Sequence, residues 1–206
     1  MRALFWPVLV LALIGLLCSA VAFGAVPLSL ADVLRALAGD GDEMTVAIVR
    51  GLRLPRAVLA ILVGACLGMA GGALQGSLRN PLAEPYLLGV SGGAAVGAVV
   101  AFATGVTSAG LLPLAAFGGA AVAVGAVLVI AGAAGGRADA RVLLMAGVVI
   151  GAFANAAIMV VLANAPPNAV RGALWWMMGS VADADWERVG WLALYAFAGG
   201  WALLWL

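Results

Sequence analysis

The chain has 206 residues, of which 66% are hydrophobic and only 9% charged, far from the roughly half-apolar, quarter-charged usage of soluble domains. All ten basic residues are arginine and the net charge is +1, so neither a nucleic-acid partner nor a polybasic lipid-binding surface is expected. Histidine is absent and the two cysteines, Cys18 and Cys66, stand in separate apolar runs, which argues against a zinc, haem or iron–sulfur site, any metal or other cofactor, and a structural disulfide. One all-α, polytopic membrane domain over residues 1–206 is expected, with the lipid bilayer as its solvent.

Apolar runs of about 17 to 25 residues are long enough to span a bilayer. In chain order the candidates are Leu4–Val26, Ala57–Leu74, Leu87–Ala103, Leu111–Ala134, Val142–Ala163 and Val189–Leu206. Backbone groups in hydrocarbon must bond internally, so each is expected to be a helix. The first run reads as a retained helix, because its apolar core exceeds the usual 7 to 15 residues of a signal-peptide core. Between the first two spans, Ser29–Leu37 predicts a short capped amphipathic helix at the surface, in a segment that stays in water. Gly135–Arg141 is a polar turn between the fourth and fifth spans. Pro166-Pro167-Asn168 predicts a break, a new start capped by Asn168, and an interfacial helix carrying Trp175 and Trp176 as headgroup-level anchors.

Small residues recur every fourth position on two spans: Ala60, Gly64, Gly68, Gly72 and Gly76 on the second, then Gly89, Gly93, Gly97 and Ala101 on the third. Such ridges let helix backbones approach closely in lipid. The ridges flank a corner, Gln75-Gly76-Ser77-Leu78-Arg79-Asn80-Pro81-Leu82-Ala83-Glu84-Pro85-Tyr86. There Pro81 pushes Asn80 out of helical geometry, Asn80 caps locally, and Pro85 favours a helix start. A plain helix–helix turn with an exposed Arg79/Glu84 pair is the simpler alternative. On the fifth span Asn155 follows Gly147 and Gly151 along one ridge, and a polar residue there faces a water-filled path or bonds a neighbouring helix. The scattered methionines read as packing.

Several of these stretches, in this order, resemble one permease family. Arg53-Leu54-Pro55-Arg56, Gly64, Gln75, Asn80-Pro81-Leu82-Ala83-Glu84-Pro85, Leu88-Gly89-Val90-Ser91-Gly92-Gly93-Ala94, Leu143 to Val148, Trp176-Met177-Met178-Gly179-Ser180 and Trp186 match ABC importers (type II) of iron–siderophore complexes, haem or vitamin B12. The resemblance covers about residues 50 to 190 strongly. It implies a bundle of about ten helices, of which this chain carries about six as the amino-terminal part. The implied partners are a second permease subunit (a homodimer or a paralogue), cytoplasmic ATPase subunits and a periplasmic substrate-binding protein.

The resemblance implies a bacterial inner-membrane location with the amino terminus in the cytoplasm. Arginine counting points weakly the other way, with Arg2, Arg79, Arg137 and Arg141 on one side against Arg35, Arg50, Arg53, Arg56, Arg171 and Arg188. By the resemblance, Arg79, Asn80, Pro81, Leu82, Ala83, Glu84 and Pro85 face the ATPases, and Arg53 and Arg56 dock the binding protein. Gly151, Asn155, Trp175 and Trp176 are the pathway or gate candidates. The expected function is import of an iron–siderophore or related chelate. Haem or cobalamin import, or an inactive fragment with a structural role, are the alternatives. The chain itself is not expected to be an enzyme: no phosphate-binding loop occurs in it, and there is neither a histidine nor a paired-acid arrangement within a span.

Overall fold

The computed structural model describes residues 2–106, 108, 110–134 and 140–205, with the side chains of residues 2 and 3 excepted. Gly135–Asp139, most of the predicted polar turn, and Leu206 at the end of the last predicted span lie outside the described residues. Among the described residues the regular structure is helical throughout. The α-helices are α1 (Arg2–Ala22), α2 (Leu30–Ala38), α3 (Glu43–Val46), α4 (Leu54–Leu78), α5 (Val90–Ala103), α6 (Leu111–Ala133), α7 (Ala140–Asn164), α8 (Pro167–Met178) and α9 (Trp186–Leu204). A π-helical turn, Ala47–Arg53, joins α3 to α4, and a 3₁₀ turn, Pro85–Leu88, precedes α5.

The helices group into two compact units, Met1–Gly68 with Val181–Leu206, and Met69–Ser180. In the first, Val21, Val33, Ala36, Val49 and Ala57 form a small core at the carboxyl end of α1. In the second, α5 packs on α6 and α7, and α8 packs on α5. Val127, Ala131, Leu143 and Ala146 make one core there; Val99, Ile158 and Ala173 make another.

Four helical stretches among the described residues are long and apolar enough to cross a membrane: Leu4–Ala22, Glu43–Leu78, Leu111–Ala133 and Ala140–Asn164. The second is 36 residues long, so the expected span Ala57–Leu74 is only the middle of a longer helical run. It starts at Asp42, whose carboxylate accepts the Thr45 amide at 3.2 Å. The third and sixth expected spans are helical but differ from expectation. α5 has 14 residues, about 21 Å at 1.5 Å per residue, short of the roughly 30 Å hydrocarbon core. Its predicted start at Leu87 is taken by the 3₁₀ turn and by Gly89, which adopts φ 72°. α9 begins at Trp186 and takes Glu187 and Arg188 into its first turn.

Two local expectations are corrected. Asn168 does not cap α8: Pro166 occupies the cap position and Pro167 the first turn, because a proline with its fixed φ and no N–H suits that position. Pro85 starts a 3₁₀ turn rather than the α-helix itself. The amphipathic surface helix forms as read, with Ser29 and Asp32 in a reciprocal capping box and Gly39 closing its end.

Candidate functional site

Pro55 organises the entry to α4. A proline offers no N–H and crowds the preceding turn, and the helix answers by widening: the Leu54 amide bonds to Val49 O, five residues back. The Arg50 carbonyl is then left without a helical donor, since Leu54 is committed elsewhere and Pro55 has nothing to donate. The Trp186 indole fills the vacancy, its Nε1 donating to Arg50 O at 2.9 Å. Arg50 and Trp186 are both exposed, so the indole is a solvent-accessible structural partner of the π-turn. In the sequence Trp186 stands only within the family resemblance; the local signal for its role is Pro55, which removes a helical donor.

The two arginines beside Pro55 have different surroundings. Arg53 is 8% exposed and is the buried charged residue of the described chain. Its Nη1 donates to Val21 O at 2.9 Å and Ala22 O at 2.7 Å, and its Nη2 donates to Val26 O. These include the last carbonyls of α1, which have no helical donors and carry the negative end of the helix dipole. A guanidinium with several fixed donors suits that end better than an ammonium. Gly24 lies flat on the guanidinium, where a Cβ would approach Nη2 to 2.8 Å. Arg56 is half-buried. Its Nε donates to Ala182 O at 2.9 Å, while its terminal nitrogens have no partner among the described residues. It lines a cleft of about 390 Å³ with Phe23, Val26, Ile48, Leu52 and Val181.

At its other end α4 closes into the corner. The Asn80 amide bonds Gln75 O at 3.2 Å and the Arg79 amide bonds Gly76 O at 3.3 Å, a helix stop that requires a left-handed residue. That residue is Arg79, φ 48°. A side chain in this conformation costs about 1 kcal/mol or more where glycine would cost nothing. The Asn80 side chain accepts the Leu82 amide at 3.0 Å, and the Asn80 carbonyl accepts the Ala83 amide at 3.1 Å. Pro81 therefore sits inside a doubly bonded turn. Glu84 is extended before Pro85, as the residue before a proline prefers.

Ala83 is buried, whereas Leu82 and Tyr86 are 79% and 64% exposed. Arg79 and Glu84 are exposed too, and no ion pair joins them among the described residues. The corner is seated on α7 at Gly147, where a Cβ would run into the backbone of Leu87 and Leu88. Gly89 lies against Ile150 and the Gly147 carbonyl. Gly147 belongs to a motif that the sequence offered without a role; its function is to let the corner backbone touch α7.

The two glycine ridges fare differently. Gly93 faces the backbone of Gly119, and Gly97 that of Ala115, both so closely that a Cβ would collide. Gly64, Gly68, Gly72 and Gly76 have nothing within 4 Å of where a Cβ would stand. On α7, Gly151 approaches Gly92, and Asn155 is exposed with no side-chain hydrogen bond among the described residues. On α8, Gly172 meets the Phe102 ring and Ala173 is fully buried, which leaves Trp175 at 66% and Trp176 at 37% exposure.

Residues 10–206 match the FecCD transport family. The chain belongs to that family. It is 39% identical over 192 residues to the achromobactin transport system permease protein CbrC of Dickeya dadantii, covering 90% of this chain and 54% of that protein. It is 36% identical over 193 residues to the Fe(3+) dicitrate transport system permease protein FecC of Escherichia coli K12, covering 90% and 57%. It is also 37% identical over 157 residues to the vitamin B12 import system permease protein BtuC of Escherichia coli O1:K1, covering 75% and 46%. A solved ABC transporter structure described as of metal-chelate type, in an inward-facing conformation, shares the fold. Its TM-score is 0.82 at 23% identity, covering 99% of this chain and 62% of the other. The FecCD chain thus spans about half the length of the relatives it matches, and it is a multi-pass membrane protein of the permease type.

Proposed function

We propose that this chain is the amino-terminal part of the permease subunit of an ATP-driven importer for an iron–siderophore or related iron chelate in the bacterial inner membrane. Family membership supports the class, and the relatives named for achromobactin and ferric dicitrate favour the iron chelate. In this reading hydrolysis takes place on cytoplasmic ATPase subunits, a second permease subunit completes the pathway, and a periplasmic binding protein delivers the cargo.

The observation that carries the reading is the doubly bonded, strained corner from Arg79 to Pro85. It offers Leu82 and Tyr86 as apolar contacts, and Arg79 and Glu84 as exposed charges with no ion pair among the described residues, a combination suited to a protein partner with a polar rim and an apolar centre. Backbone strain held at such a place is characteristic of functional turns. Because the corner rests on Gly147, a push from an ATPase passes directly to α7. Gly151 and Asn155 lie one and two turns further along that helix. The cycle is then a population shift between two access states, driven by differential binding of the corner.

At the other end of α4, Arg56 is the better docking residue of the pair for a binding protein, since its terminal nitrogens have no partner among the described residues while the Arg53 guanidinium is engaged by three carbonyls. Rim charges of this kind steer encounter and fix orientation. Trp175 and Trp176 on α8 are the gate candidates.

Co-purification of the cognate ATPase through the tagged permease tests the class. Leu82→Asp with Tyr86→Ser should abolish retention of the ATPase, and undiminished retention would refute the corner's role. Titrating the cognate binding protein with ferric siderophore, ferric citrate, haem and cobalamin separates the substrates. Cobalamin is the second reading, because relatives named for vitamin B12 match at similar identity.

A further inference from the structure

Helix α2 has three faces. At 3.6 residues per turn, Leu30, Leu34 and Leu37 fall within about 60° of one another, and Asp32 and Arg35 lie on the opposite side. The leucines are 61%, 59% and 37% exposed. Asp32 and Arg35 pair with each other at 3.2 Å and remain solvent-accessible. On the flank between the two faces, Val33 and Ala36 are buried in the core at the end of α1.

That core sets the depth of the helix. Val33 and Ala36 pack with Val21, Leu17 and Ala22 of α1, residues of the last turns of the apolar stretch Leu4–Ala22. α2 therefore lies beside the exit of α1 rather than beyond it. Near this contact α1 exposes Leu16 at 67%, and Phe23 follows at 80%, so the level at which α2 lies still presents large apolar side chains outward. The helix cannot roll to hide its leucines. Its start is fixed by the Ser29–Asp32 capping box, and its end by Gly39 and by Arg50, whose Nη2 donates to Leu37 O at 2.5 Å.

We propose that α2 is an interfacial membrane helix. Leu30, Leu34 and Leu37 seat in the boundary between lipid headgroups and acyl chains, and Asp32 and Arg35 stay in water. The opposition of charged and leucine faces is the geometry of a helix lying in the plane of an interface, and its packing on the last turns of the apolar stretch Leu4–Ala22 selects lipid as the occupant. The segment between the first two spans is then wet on one side only.

The test uses the full chain carrying C18S and C66S, reconstituted in vesicles of phosphatidylethanolamine and phosphatidylglycerol. Single cysteines L30C, L34C, L37C and R35C receive nitroxide labels, and collisions with oxygen and with a water-soluble nickel chelate are compared. The leucine positions are exposed and stand clear of the buried flank and the Ser29–Asp32 cap, so each label leaves the fold intact and reads the same face independently. Oxygen collisions should exceed chelate collisions at 30, 34 and 37, with the order reversed at 35. Chelate collisions at the leucine positions as frequent as at 35 would place the face in water. Shielding from both reagents would place it against a protein. Either result overturns the proposal.

Discussion

Each of the two units is held together internally in its own way. In Met69–Ser180 the helices touch backbone to backbone: Gly93 on Gly119, Gly97 on Ala115, Gly147 on Leu87. In the unit of Met1–Gly68 with Val181–Leu206 the ridge glycines Gly64 and Gly68 of α4 meet nothing, α4 buries only Pro55 and Ala57, and one guanidinium closes α1. A small-residue ridge yields close packing only where a second backbone faces it. Without one, polar groups at helix ends carry the order. The same contrast separates the two key arginines. Arg53 gives its side chain to the fold, whereas Arg79 gives only its backbone and keeps its side chain for solvent or a partner.

The sharpest way to break this contrast is Arg53→Ala. Removing the guanidinium strands carbonyls of Val21, Ala22 and Val26, each worth about 1 to 3 kcal/mol if left dry, so a loss of several kcal/mol is expected in detergent unfolding. Arg53→Lys should recover only part of it. A loss below about 1 kcal/mol for the alanine variant would show that water replaces the cap.

Gly97→Ala should come next, costing about 1 to 3 kcal/mol as α5 and α6 are forced apart, measured in the same way. Arg79→Gly is expected to raise stability by about 1 kcal/mol through relief of the left-handed strain, while weakening ATPase retention. A rise in both would mean that the Arg79 side chain is idle. Gly68→Ala should be neutral or stabilising by about 0.5 to 1 kcal/mol in this chain, since helix propensity improves and nothing is struck. A clear destabilisation would mean that another backbone covers the α4 ridge in the assembled protein.

The smallest effect concerns acid. The Ser29 hydroxyl holds the Asp32 carboxyl below its ordinary value, and with help from the Ser29 amide and Arg35 it outweighs the opposing effect of desolvation. A depressed carboxylate contributes stability in full above its unfolded value of about 3.9, and the contribution fades as pH falls through the folded value. Mobility of a spin label on α2 should therefore be flat from neutral pH to about pH 5 and rise only in stronger acid. A rise near neutrality would assign the cap to a different group.

Much of this architecture was legible in the residues themselves. Long apolar runs must become helices in lipid, Ser29 with Asp32 marks a helix start, and Asn80-Pro81 marks a turn, because each follows from local backbone chemistry and needs no distant partner. Pro55 announced a disturbance, but not that Trp186 would repair it. Asn168 has the residue type of a cap, but Pro166 takes the cap position and Pro167 the first turn, so the helix starts before it.

The sequence alone determined a helical membrane chain, its family and the place of its corner, since hydropathy, proline and glycine act within a few residues of where they stand. Only the tertiary structure decided which glycine ridge is filled, which arginine is consumed by the fold and which carbonyl needs an indole. Those outcomes depend on what a side chain meets across space, and for Arg53 that meeting spans 27 to 32 positions of the chain.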